Sequence, residues 1–277
     1  MATKVEVENK VEVEVKVENN IEINGLLIPV LYPTNSNGRE HVTFILQEPK
    51  VQAYFATISP DIVIKKITIM SDYMFGKRLG FLFMDLDCYD RASGKKLAGA
   101  VFLRGDSVAC LVLIKNKKTG GLYFAKVKQP RVPKGKWIYE IPAGMFEKKN
   151  GVGKMAGQMA IELREELGIE VESTGIKTDD PSCQFKYMEE LGKFDPSPGA
   201  TVESITTYWY MVEMTTDEIA SLHGRIIANE ESNSTEIIKV ELDVFSLRKI
   251  IETEDAKAMC ATLQLMNKYP GFVPLIH

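Results

Sequence analysis

This chain holds little of what sulfur or imidazole chemistry would need. Its 277 residues include four cysteines and three histidines. Cys88, Cys110, Cys183 and Cys260 have no C-x-x-C spacing. That argues against a zinc ribbon or a disulfide scaffold and for four reduced thiols in a cytosolic compartment. His41, His223 and His277 are scattered through turn-like or terminal contexts, a poor basis for a zinc site or a histidine-activated nucleophile. A run of 18 apolar residues is also missing, so no membrane-spanning helix is expected. No secretory leader is apparent, and the acidic N-terminal stretch lacks the character of an organelle transit peptide, which makes the cytoplasm the expected location. Excess positive charge is absent too. With 34 basic and 38 acidic residues the net charge is −4, so neither nucleic acid nor an anionic membrane is expected as a partner. An anionic substrate would have to be held by local Arg and Lys side chains and by metal.

What is present suits a folded enzyme. Hydrophobic residues make up 45% of the chain and charged residues 26%, enough for a sizeable core in one large or two small domains. From Val5 to Ile23 the odd positions are Val or Ile except Asn9 and Asn19, while the even positions are Glu, Lys or Asn. A period of two predicts an extended strand or hairpin with those asparagines as candidate turns, or else a low-complexity tail without structure of its own. Residues 26–48, with Tyr32-Pro-Thr-Asn-Ser-Asn-Gly38, read as a loop and a boundary. The expected organisation is an N-terminal segment over 1–48, a β-rich portion over 49–104 and a catalytic domain over 105–277.

Strands are predicted over 62–70 and 81–89, with Gly76 and Gly80 between them. Further strands are predicted over 108–114, 122–127, 137–141, 207–212 and 237–242, with Lys118-Thr-Gly-Gly121 as a hairpin turn. A helix is expected over 154–167, burying Met159, Ala160, Leu163 and Leu167 and stopping at Gly168. A second is expected over 256–268, burying Ala256, Met259, Cys260, Leu263 and Met266. Strands alternating with helices point to the α/β class. Gly151-Val-Gly-Lys154 is not a nucleotide phosphate loop, because its first glycine is misplaced and Met155 stands where Ser or Thr is required.

The chemistry concentrates in 141–169, IPAGMFEKKNGVGKMAGQMAIELREELGI. Glu162, Glu165 and Glu166 are spaced i, i+3, i+4, which puts three carboxylates within an arc of roughly 100° on one helix face. Mutually repelling charges so placed either face bulk water or bind a hard cation such as Mg²⁺. The stretch resembles the Nudix box, and its second half, Glu162-Leu-Arg-Glu-Glu-Leu-Gly-Ile169, fits closely. The first half departs from it. About three residues are inserted between Gly144 and Ile161, Ile161 occupies the arginine slot, and the middle glutamate slot reads Asn150 or Gly153 depending on the direction of counting. Met74-Phe-Gly-Lys-Arg-Leu-Gly80, Phe102-Leu-Arg-Gly105, Gln129-Pro-Arg-Val-Pro133, Glu140-Ile-Pro-Ala-Gly-Met145 and Ser197-Pro-Gly199 with Glu203 extend the resemblance. Their order is similar to that of the plant-type ADP-sugar pyrophosphatases of the ADP-ribose and nucleotide-sugar branch.

That resemblance implies an α/β/α sandwich with a β-rich N-terminal portion, a homodimer, and hydrolysis of a nucleoside diphosphate sugar to a nucleoside monophosphate and a sugar phosphate. The implied substrate is an ADP-sugar, ADP-glucose or ADP-ribose, and the cofactor Mg²⁺, with Mn²⁺ as the alternative. Glu162 and Glu166 are the implied metal ligands, Glu165 a third ligand or an acid behind them, and the Ala143 carbonyl a further ligand. Glu203 is the candidate general base. Arg104, Gln129, Arg131, Gly144 and Met145 are the implied substrate contacts, and Trp137 or Tyr139 a candidate stacking surface for the base. Two other readings stand beside this one: a UDP-sugar pyrophosphatase, and a nucleotide-sugar-binding module without catalysis.

Overall fold

A computed structural model describes residues 15–33, 39–145, 155–169, 188–231, 234–272 and 274–275. It divides into two compact units, Met1–Gly105 with Ser197–Val202, and Asp106–Pro196 with Glu203–His277.

In the first unit the Val/Glu alternation becomes β1 (Val15–Ile23), which pairs antiparallel with β2 (Leu26–Pro33). The turn is Asn24-Gly25, both at positive φ, the conformation a tight hairpin demands and Asn-Gly tolerates best. This corrects the expectation of a turn at Asn19. That residue sits at a register shift within β1, and its side-chain amide donates to Thr43 Oγ1 at 3.1 Å. Asn9 lies outside the described residues.

The loop expected over 26–48 is also corrected. Leu26–Pro33 is a strand and Arg39–Gln47 is a helix, α1, followed by α2 (Pro49–Ala56). Prolines 29 and 33 misled the reading, although β2 tolerates them because its far side pairs with the next strand only at Val30 and Leu31. Two long strands follow, β3 (Ile62–Phe75) and β4 (Arg78–Asp90), then β5 (Ala100–Leu103). Gly76 and Lys77 alone form the β3–β4 loop, and Gly80 lies inside β4. The sheet order is β1-β2-β3-β4-β5-β11, where β11 is Thr201–Val202, running parallel to β5. Val42, Ile45, Val51 and Phe55 of the two helices pack with Ile67, Ile69, Leu82 and Met84 in one apolar core. His41 is a half-buried side chain whose Nε2 lies 3.0 Å from Asp72 Oδ2.

The second unit begins with β6 (Ser107–Asn116), β7 (Leu122–Arg131), β8 (Lys136–Glu140), β9 (Ala143–Met145) and α3 (Met155–Leu167). It continues through β10 (Glu189–Phe194), β12 (Ile205–Met214), α4 (Thr216–Leu222), β13 (Ile226–Glu231), β14 (Ser234–Val244), α5 (Leu247–Glu252) and α6 (Ala256–Lys268). Its sheet runs β10-β12-β6-β7-β14-β13, with β8 added to β7 and β9 to β6.

Both faces of this sheet are covered. Val108, Cys110, Val112 and Ile114 of β6 join Met159, Leu163 and Leu167 of α3 in one core. The alternate residues Ala109, Leu111 and Leu113 join Ala258, Ala261 and Leu265 of α6 in the other. A strand buried on both sides must read as a continuous apolar run, which is why β6 reads Val-Ala-Cys-Leu-Val-Leu-Ile from 108 to 114. The unit is thus an α/β/α sandwich, and the chain is of the α/β class expected from its alternating strands and helices.

The expected buried face of α6 is rotated. Leu263 is 62% exposed and Ala256 is exposed, while Ala258, Ala261, Thr262 and Leu265 face the core. Small or polar residues at i, i+3 and i+4, Ala258, Ala261 and Thr262, let the helix lie close to the sheet. They carry little hydrophobic signal of their own.

Candidate active site

The site is built where β9 meets the N-terminal end of β6. Ser107, Val108 and Ala109 pair with Met145, Gly144 and Ala143. On its other side the same end of β6 pairs in parallel with β12, Ser107 opposite Ile205. Residues 142–145 and the chain entering β12 are therefore neighbours across one strand terminus.

α3 brings its carboxylates to this place. It ends as expected at Gly168, in the left-handed region at φ +67, whose N–H donates to Arg164 O at 3.0 Å. With Met159, Leu163 and Leu167 anchored in the core, the glutamates are sorted by burial. Glu166 is 4% exposed, and its Oε2 accepts from the Ala143 N–H at 3.2 Å. Glu162 is half-buried and lies directly against Gly144, so a Cβ at 144 would overlap its carboxylate. Glu165 is exposed. A side chain at 144 would therefore displace the Glu162 carboxylate, which occupies the space beside this glycine.

Glu203 enters from the opposite flank. It is 9% exposed and accepts from Ser107 Oγ at 3.0 Å through Oε1, with Ser107 N–H also bonded to Ser204 O at 3.1 Å. The main chain around Glu203 is held as well, since Ser204 N–H donates to Asp106 Oδ1 at 3.2 Å. Ser107 was not anticipated from sequence.

Behind the Pro142-Ala143-Gly144 segment lies a set of charges that the sequence did not reveal. Arg131 Nε donates to Glu140 Oε2 at 2.6 Å, and Lys257 Nζ donates to Glu140 Oε1 at 2.7 Å. Lys257 also pairs with Asp255 at 2.9 Å, and Asp255 Oδ2 accepts the Ile141 N–H at 3.0 Å. Burial alone would push the Glu140 carboxyl up, but the Lys257 and Arg131 charges outweigh it and hold the group below the usual carboxylate range. Burial would likewise depress Lys257, yet Asp255 and Glu140 keep its ammonium above the ordinary value. The one available clue was Asp255 as an N-cap, since its side chain accepts from Lys257 N–H at the start of α6.

Gln129 is 2% exposed, and among the described residues its Nε2 has no hydrogen-bond partner. It shares a face of β7 with Arg131 by strand alternation. Met145 is half-buried. Trp137 is exposed, whereas the Tyr139 ring is covered by Lys126 Nζ at 4.3 Å and Lys128 Nζ at 5.2 Å. Arg104 belongs to the first unit, where its carbonyl accepts from Lys50 Nζ at 3.3 Å. Asn150 and Gly153 lie outside the described residues, as does the side chain of Ile161.

Among the described residues no group of three or more His, Cys, Asp or Glu side chains is gathered closely enough to hold a metal ion. The donors flanking Ala143-Gly144 are nevertheless all oxygen, two carboxylates beside a main-chain segment. That set suits Mg²⁺, which keeps several waters and is commonly held by one or two carboxylates together with substrate phosphate.

Over 183 residues the chain is 33% identical to Nudix hydrolase 14, chloroplastic, of Arabidopsis thaliana. The chain is related to the Nudix hydrolases. The alignment takes in 65% of this chain and 55% of that protein, so the chain spans about half the length of the curated relative it matches. The Nudix resemblance read from Glu162–Ile169 is borne out. No protein-family model matches the chain. A solved structure described as an ADP compounds hydrolase covers 78% of this chain and 98% of its own, at 10% identity and a TM-score of 0.48.

Proposed function

We propose that this chain hydrolyses the pyrophosphate bond of a nucleoside diphosphate sugar, most readily an ADP-sugar such as ADP-glucose or ADP-ribose, with Mg²⁺ or Mn²⁺ as cofactor. The observation that carries the reading is the convergence of Glu162 and Glu166 on Ala143-Gly144, with Glu203 buried at the same end of β6. A pyrophosphate resists hydrolysis because its negative charge repels the nucleophile; Glu162, Glu166 and the Ala143 carbonyl would hold Mg²⁺, which would supply charge to offset this repulsion and acidify water.

The protein's own share is positioning and proton transfer. Glu166 ties the end of α3 to β9 through the Ala143 N–H, so the carboxylates and the main chain are set in one frame. Glu203, its rotamer fixed by Ser107, takes the proton from the attacking water. Water adds across the P–O–P linkage, giving a nucleoside monophosphate and a sugar phosphate. Arg131 and Gln129 supply donors to the diphosphate or the nucleotide, guanidinium matching phosphate oxygens in a fork. Gly144 and Met145 complete the contacts assigned within the second unit, and Glu165 would serve as a third ligand or as an acid behind the other two.

The reading includes a homodimer formed through the first unit. Tyr73, Phe75 and Phe83 are exposed there, Tyr73 stacking on Phe81, Phe75 meeting Phe81 edge to face and Phe81 tilted against Phe102, the kind of apolar surface that marks an interface. Light scattering of the intact protein and of Phe83→Glu tests this, a monomeric native protein being the adverse result.

The main test is phosphorus NMR of products from ADP-glucose, UDP-glucose and ADP-ribose, each with and without Mg²⁺, alongside Glu166→Gln. Metal-dependent nucleoside monophosphate that disappears in the variant supports hydrolysis, and the fastest substrate fixes the base and sugar. Binding of all three without product would instead identify a nucleotide-sugar-binding module.

A further inference from the structure

We infer that Asp255 and Lys257, in the first turn of α6, are positioning residues for the site on the other side of the Ile141–Gly144 segment. The inference rests on the function proposed above. Neither residue touches the carboxylates of α3; each acts through a group that does, or through one that faces substrate.

Asp255 works on the main chain. Its Oδ2 holds the Ile141 N–H at 3.0 Å, immediately ahead of Pro142. Pro142 O then accepts from Cys110 N–H at 2.9 Å, and Ala143 N–H meets Glu166. Three successive residues of the segment are thus fixed from three directions: α6 below, β6 beside and α3 above. Proline has no N–H to contribute, so the Asp255 bond is the last donor-side anchor before the segment reaches Glu166. Losing it frees a buried N–H next to the residues that set the Glu162 and Glu166 carboxylates.

Lys257 works on charge. Arg131, Glu140, Lys257 and Asp255 form an alternating row of two cations and two anions, with Glu140 shared between Arg131 and Lys257. Because Lys257 shares the neutralisation of Glu140, the Arg131 guanidinium is not the sole counter-charge of that carboxylate. Glu140 is bonded through Nε, and a guanidinium carries further donors for a phosphate. Without Lys257, Glu140 draws on Arg131 for all its compensation and competes with a substrate diphosphate for it.

The two residues therefore predict different kinetic signatures. Lys257→Met keeps the apolar stem and removes the charge; KM for the nucleotide sugar should rise at least tenfold with kcat within about threefold. Lys257→Arg should recover most of that loss. Asp255→Ser retains a competent helix cap but is too short to reach Ile141; kcat should fall about tenfold with KM nearly unchanged. Amide hydrogen exchange over residues 136–145 of the metal-free protein is read in parallel and should quicken in Asp255→Ser while exchange in β12 stays as in the native chain. Unaltered exchange over 136–145, or variants that lose only thermal stability while KM and kcat per folded molecule stay native, would overturn the inference. Should the native protein turn over none of the nucleotide sugars while exchange responds as described, the proposed function fails and the Asp255 anchor stands.

Discussion

The two units bury very different things. Among the described residues, every buried polar or charged side chain lies in the second unit, from Ser107 to Thr262, and Gln129, Glu140, Glu166, Glu203 and Asp255 are among them. The core of the first is apolar apart from the Cys88 thiol and the Tyr32 hydroxyl, which donates to Asp72 Oδ1 at 2.6 Å. Burying a polar group costs free energy unless each donor and acceptor is met, so a stable scaffold avoids such groups and a reactive site accumulates them. The first unit is built for stability, and the second gives up some stability to fix charge in place. Buried carboxylates, more than the folds themselves, separate scaffold from site.

That contrast can be broken most sharply at Gly144. Gly144→Ala should lower turnover by at least a hundredfold while the far-ultraviolet circular dichroism stays native, because the new methyl displaces the Glu162 carboxylate without entering either core. Turnover within a factor of three of the native protein would mean that Glu162 has room to move and is not held by the segment.

Next in size is a change in the first unit. Ile67→Ala, at a fully buried site, should destabilise by about 2–5 kcal/mol, as truncations in well-packed cores do. Denaturant unfolding followed by the near-ultraviolet signal measures it, and the turnover of the protein that remains folded should be native. A loss of turnover matching Gly144→Ala would show that the scaffold is not separable from the chemistry.

Smaller still is Gln129→Leu. Replacing an amide whose Nε2 has no partner among the described residues should leave stability unchanged or raise it by about 1 kcal/mol, while KM for the nucleotide sugar rises. Clear destabilisation would mean that the amide is already satisfied in the free protein.

The last effect is one of pH. Burial, opposed by Glu48 and assisted by Arg78, lowers the Lys50 ammonium to about 8, where it bonds Gly80 O and Arg104 O. A folded-state pKa below the unfolded value of 10.5 means that the unfolded chain binds more protons between those values. The Lys50 contribution to stability therefore rises as pH climbs through that window. Urea unfolding at pH 7.5 and 9.5 should show this slope in the native protein and its loss in Lys50→Met; equal slopes in the two would remove Lys50 as its source.

How much of this could be read beforehand follows the same division. Strands β1, β3, β4, β6, β7, β8, β12 and β14 announced themselves by alternation or by continuous apolar runs, and α3 by its spacing and its glycine stop, whereas β2 read as a loop and the short strands β5, β9, β10, β11 and β13 gave no signal. α1 and α2 gave none either, because residues 34–38 and Pro49 look like loop and the short apolar faces around them carry little periodicity. The α6 face was misplaced because Ala258, Ala261 and Thr262 are chosen for size and not for hydrophobicity. In the site, Glu162, Glu166, Gly144 and Glu203 were visible as motif positions. Ser107, Asp255, Lys257 and the pairing of the motif residue Glu140 were not, since partners separated by 96 to 117 residues meet only once the sheet has formed.

β11 has a consequence for the timing of synthesis. The first unit draws its last strand from Thr201–Val202, whereas the rest of it ends at Gly105. At roughly 5–20 residues per second, the ribosome needs on the order of 5–20 s to deliver the intervening stretch. Through that interval β5 is an open sheet edge. Six residues borrowed from the middle of the chain thus postpone the completion of the N-terminal unit until much of the second has been made, and the next residue to emerge is Glu203.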